Sequence, residues 1–136
     1  MSIERVETEQ ETARWAIDFE WLAQNGRLAA AMAWSALCPE CRHRITAGPA
    51  RAGLDEVMGA IRQCCAAKPG YINAELPIME SVFRLFLANG NEPLDVIELG
   101  RQLSERRGID TYRTSVQVLT RLLEHDDTYG LRRAGE

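Results

Sequence analysis

Four cysteines carry the most specific chemistry in this sequence. Cys38 and Cys41 flank a Pro-Glu pair in "ALCPECRHRI", and Cys64 and Cys65 stand side by side in "IRQCCAAKPGY". A Cys-x-x-Cys knuckle lets a tight turn aim two thiolates at one ion while backbone N–H groups donate to the sulfurs. Two further thiolates complete a tetrahedral zinc site. Adjacent side chains on a helix diverge by about 100°. Cys64 and Cys65 can therefore share an ion only where a helix ends or distorts, and Pro69 and Gly70 follow closely enough to end one.

Other chemistries compete for the same residues. His43, in "CRH", could replace one of the tandem cysteines. Four thiolates could hold an iron–sulfur cluster, whose larger size suits a tandem pair. Val57, Ile61, Cys64 and Cys65 also fall at i, i+4, i+7 and i+8, the spacing of a core stripe, and free cysteine is among the most buried residue types. A thioredoxin-like pair needs its Cys-x-x-Cys between a strand and a helix start, whereas this one follows an Ala-rich segment. We take Cys38, Cys41, Cys64 and Cys65 as metal ligands, zinc before an iron–sulfur cluster. Zinc would make the site a structural staple, and a cluster would make it a redox sensor.

Mainly helical elements are expected to position these residues. Trp15, Phe19 and Leu22 fall at i, i+4, i+7 and predict a helix over residues 5–24, with Ile17 and Trp21 on a second apolar stripe. A helix apolar on two sides is covered on two sides, so Trp15, Ile17 and Trp21 are candidate interface residues for a protein partner or a second copy. "QNGR" predicts a turn, and "RLAAAMAWSAL" a second helix running into a CPEC loop. Residues 46–53 read as loop, and "DEVMGAIRQCCAA" as a third helix with acidic residues in its first turn. Pro77 suits a helix start, and Ile78, Val82, Leu85 and Phe86 continue it. "VIELGRQLSERRG" and "VQVLTRLLEHDD" complete the helical set, and "TYGLRR" is β-prone. The division expected is a helical region over residues 1–72 holding the cysteines, then a second domain over residues 77–136.

Composition narrows the function classes. The 136 residues carry a net charge of −4, all of it in residues 1–25, where six acidic side chains face two basic ones. The remaining 111 residues balance, with 14 of each sign (20 − 6 acidic, 16 − 2 basic). Such a balance argues against tight non-specific binding to nucleic acid but permits a local basic face. The acidic start "MSIERVETEQE" is unlike a targeting peptide, and no apolar run approaches the roughly 20 residues of a membrane span. The expected location is cytoplasmic, a compartment where clustered cysteines more often bind metal than form disulfides.

Residues 77–133 resemble a winged helix-turn-helix domain. The carrying stretch is "IMESVFRLFLANGNEPLDVIELGRQLSERRGIDTYRTSVQVLTRLLEHDDTYGLR", in which an Asp precedes a helix and small Gly100 sits where two helices would cross closely. The resemblance implies a recognition helix at about 113–125 facing a DNA major groove. It implies base-edge and phosphate contacts from Arg113, Thr114, Gln117 and Arg121, with Arg106, Arg107 and Arg132 on the flanks. Two features depart from that pattern. Only one wing strand is foreseen before Glu136, and Asp126 and Asp127 sit where phosphates would lie.

Nothing in the sequence suggests catalysis. The two histidines, His43 and His125, lie in different halves, no Gly-rich phosphate loop is present, and a closed four-thiolate site offers no open coordination position. The sequence thus reads as a mainly α, non-enzymatic, metal-containing protein that regulates transcription through DNA, dimeric through its tryptophans. Its rival is an accessory subunit that uses a wingless domain to bind protein. Neither reading has a membrane or a small-molecule substrate.

Overall fold

A computed structural model describes residues 12–108 and 114–134. In chain order the elements are β1 (Arg14–Ile17), α1 (Phe19–Gln24), α2 (Ala29–Trp34), α3 (Pro39–Arg44), α4 (Leu54–Gln63), a 3-10 turn (Cys65–Ala67), α5 (Ile78–Ala88), β2 (Leu94–Asp95), α6 (Val96–Arg107), α7 (Val116–Glu124) and β3 (Leu131–Arg133). The chain is mainly α, with one small antiparallel sheet in the order β2-β1-β3. No described helix is long and apolar enough to cross a membrane.

Helix α5 is the centre of the molecule. Ser81, Val82, Phe83, Leu85, Phe86 and Leu87 are all buried, so it is covered on nearly every side, as a helix this apolar must be. It packs against both α4 and α6. One continuous core runs from Leu37 and Ile61 through Phe86 to Leu119 and Leu131.

The helix expected over residues 5–24 is corrected in its described part. Residues 14–17 form the central strand, and the helix begins only at Phe19. Asp18 explains the switch: its carboxylate accepts the Trp21 N–H at 3.0 Å, which makes it an N-cap and excludes the preceding residues from the helix. Trp15 and Ile17 then alternate onto one face of β1 and are each 4% exposed. They belong to the chain's own core, which removes them from the expected interface. Trp21 is half-buried beneath Arg132, whose guanidinium lies 4.0 Å from the ring centroid.

Strand β1 is held on every side. It pairs with Asp95 and Leu94 of β2, and with Leu131 to Arg133 of β3. Beyond the short β2, Asn91 replaces a strand neighbour. Its amide donates to the Ile17 carbonyl and accepts the Ile17 N–H, each at 2.9 Å. The β-prone "TYGLRR" segment thus supplies β3, an edge strand of this sheet paired with β1.

Helices α6 and α7 cross closely at Gly100. A Cβ there would stand 2.7 Å from the Thr114 carbonyl oxygen, well inside contact distance. Asp95 caps α6 by accepting the Glu98 N–H at 2.8 Å, and Ser115 caps α7 through the Val118 N–H at 3.3 Å.

Candidate metal centre

The four cysteines converge from two segments remote in sequence. Cys38 is the N-cap of α3, with Pro39 at the first helical position, where its missing N–H is no loss. Glu40 in the first turn and Arg42, His43 and Arg44 in the last suit the helix dipole. The stretch expected to be a CPEC loop is therefore a short helix. The signals that could have found it are Pro39 and this ordering of charge.

On the facing side, α4 ends at Gln63 and Cys64 is its C-cap, with φ −136° and ψ −64°. That break, followed at once by the 3-10 turn from Cys65, overcomes the divergence of two adjacent side chains. All four sulfurs lie within 4.8 Å of one another. Cys38 Sγ is 3.5 Å from Cys65 Sγ and 3.8 Å from Cys64 Sγ. Sulfurs at the corners of a tetrahedron around an ion with 2.3 Å bonds stand about 3.8 Å apart. The cluster could thus hold a metal ion. His43 is exposed and stands outside it, so the four candidate donors brought together are all thiols.

The surroundings treat the sulfurs unequally and favour the ionised form only at Cys38. The Cys38 N–H donates to Cys65 Sγ at 3.2 Å, and Arg44 Nη2 donates to Cys41 Sγ at 3.6 Å. The Cys41 backbone N–H bonded to Cys38 brings the Cys38 thiol down to about 7. Burial, followed by the neighbouring thiols, pushes Cys41 up to about 12. Burial raises Cys65 as well. Buried thiols this close resist ionising together, because like charges at such distances repel strongly in a low-dielectric site. A cation among them would remove that penalty.

Contacts beyond the sulfurs tie the centre to its neighbours. Lys68 pairs with Glu40 across the two cysteine segments. Arg106, at the end of α6, donates to the Ala66 carbonyl at 2.7 Å and lies over the Tyr71 ring at 5.6 Å.

The nucleic-acid residues inferred from sequence are dispersed rather than gathered. Arg107 is 4% exposed, and its guanidinium donates to Leu76 O (2.5 Å), Ser81 Oγ (2.8 Å) and Ala74 O (3.1 Å). It holds the loop before α5 and is corrected from a phosphate contact to a core tie. Thr114 is also buried, its hydroxyl 2.8 Å from that of Ser104, and it too leaves the contact set. Arg113 lies outside the described residues. Arg132 is occupied by Trp21 and by the Asp126 carbonyl at 2.9 Å. Gln117 and Arg121 remain exposed, one turn apart on α7, and Arg106 is exposed beside the 3-10 turn.

Asp126 has a structural role that the sequence did not disclose. Its carboxylate accepts the Tyr129 N–H at 3.1 Å and the Leu131 N–H at 2.9 Å, which shapes the turn into β3. No protein-family model, curated protein or solved structure matches this chain.

Proposed function

We propose that this is a non-catalytic zinc protein in which Cys38, Cys41, Cys64 and Cys65 form a closed tetrathiolate centre. The observation that carries the reading is the sulfur spacing, 3.5 and 3.8 Å from Cys38 to its neighbours across the site. Thiolates that each bind a different iron of a cluster stand farther apart than thiolates sharing one ion, so the spacing favours a mononuclear site. With all four positions taken by protein, the metal has no place for substrate or activated water and acts as a staple. Elemental analysis of untagged protein prepared without air tests this. One zinc per chain and no colour are expected, whereas iron with sulfide, or no metal, would contradict it.

For the role the staple serves, we propose contact with duplex DNA by α7. The helix–strand–helix–helix–strand order of residues 78–133 supports it, as do exposed Gln117 and Arg121 on the last helix. Arg121→Ala should weaken duplex binding and lower its salt dependence by about one phosphate contact. A wild-type protein that binds no duplex at low salt would overturn this role. It would favour the protein-adaptor reading, for which Ile97, 51% exposed near the start of α6, is the first residue to test.

A further inference from the structure

The four sulfurs are unequal in exposure. Cys41 and Cys65 are each 1% exposed, while Cys38 and Cys64 are only partly covered. Those two lie 3.8 Å apart, on segments separated by 26 positions in the chain. A cavity of about 350 Å³ opens beside Cys64, lined also by Cys41, Arg44, Ile45, Glu56, Gly59 and Gln63. At Gly59 in its lining the space is open, since a Cβ there would meet no atom within 4 Å. A small solute can therefore reach the Cys64 side of the centre without displacing the core.

Building on the zinc reading above, we propose that Cys64 is a hydroperoxide-oxidised site and that Cys38 resolves it, releasing the metal. The Cys64 thiolate attacks the O–O bond, forming a sulfenic acid while hydroxide leaves and takes a proton from solvent. The Cys38 thiolate then attacks that sulfur. The S–S bond forms, the S–O bond breaks, and the second oxygen leaves as water after protonation. Two thiolates are oxidised by two electrons, one hydroperoxide is reduced, and two protons are consumed. Only Cys41 and Cys65 would then remain to hold a metal, and two thiolates do not make a closed site.

The backbone permits the new bond. Cys38 is a helix N-cap in extended conformation and Cys64 a C-cap outside helical geometry, so closing the sulfurs to disulfide distance does not require a helix to unwind. Once the ion leaves, the Cys41 and Cys65 thiolates each take up a proton from solvent and stay behind as thiols shielded from peroxide, each 1% exposed. The disulfide replaces the ion as the link between the start of α3 and the end of α4. Thiol reductant would restore the original ligand set.

The test is to treat the zinc-loaded full chain with hydrogen peroxide in the presence of a chromogenic zinc chelator too weak to strip the untreated protein. One zinc released for every two thiols lost is expected. After the remaining thiols are alkylated, peptide fragmentation should show Cys38 bonded to Cys64, and reduction should restore zinc binding. Zinc retained while peroxide is consumed, or a disulfide that omits Cys64, would overturn the proposal and leave the zinc reading intact. Protein that carries no zinc before treatment would instead overturn the zinc reading itself.

Discussion

The two ends of this molecule are held together by different means. Around the sheet, α6 and α7 begin with side-chain caps from Asp95 and Ser115, and the elements rest on fully buried Phe86, Leu99, Leu103 and Leu119. At the cysteine end, α2 and α3 have six residues each, and none of α2, α3 and α4 carries a side-chain cap bond. Helices that short are marginal on their own. The positions where caps would stand at the facing ends of α3 and α4 are instead occupied by Cys38 and Cys64. Both ends share one apolar core, but α6 and α7 start with side-chain caps while sulfur stands at the facing ends of α3 and α4. On the zinc reading, a metal there would substitute for helix capping.

The largest expected effect comes from removing the metal. Structural zinc contributes on the order of 10 kcal/mol in small metal-folded domains, so chelation, or Cys41→Ser, should strip hydrogen-exchange protection from α3 and α4. Protection in α5 and α7 should largely remain. Equal loss at both ends would break the contrast. The same loss should follow acidification. Metal binding needs thiolates, so its stabilisation is present near neutrality and disappears as falling pH protonates them.

A smaller effect is expected at the other end. Gly100→Ala would force a methyl group into the Thr114 carbonyl, 2.7 Å away, with Leu119 Cδ1 only 3.4 Å off. A backbone shift of this kind costs about 1–3 kcal/mol. Denaturant titration should show that destabilisation while zinc content stays at the wild-type value. Smallest is Ser115→Ala, which removes the α7 cap and should cost about 1 kcal/mol, again without loss of metal.

Much of this contrast was legible in the sequence, for identifiable reasons. The four cysteines could be grouped because a Cys-x-x-Cys knuckle and a tandem pair before Pro69-Gly70 have few structural uses. Gly100 could be placed at a helix crossing because only a missing side chain allows that approach. The helices from Ile78 onward follow their apolar period closely. What could not be read were facts set by tertiary partners. Trp15 and Ile17 satisfy helical and strand spacing alike, and the choice is made by Asp18 capping after them and by β2, β3 and Asn91 waiting on either side. Arg107 has the composition of a surface cation. Its burial depends on carbonyls of residues 73–76 and a serine hydroxyl that no local pattern brings near. Pro39 with its ordered charges did announce α3, but the knuckle reading masked it.

The central claim is that four sulfurs surround one zinc ion. Zinc-edge X-ray absorption on the purified protein measures that directly. The account predicts a single shell of four sulfurs at about 2.3 Å, unchanged by His43→Ala. A shell containing nitrogen or oxygen, or fewer than four sulfurs, would contradict it.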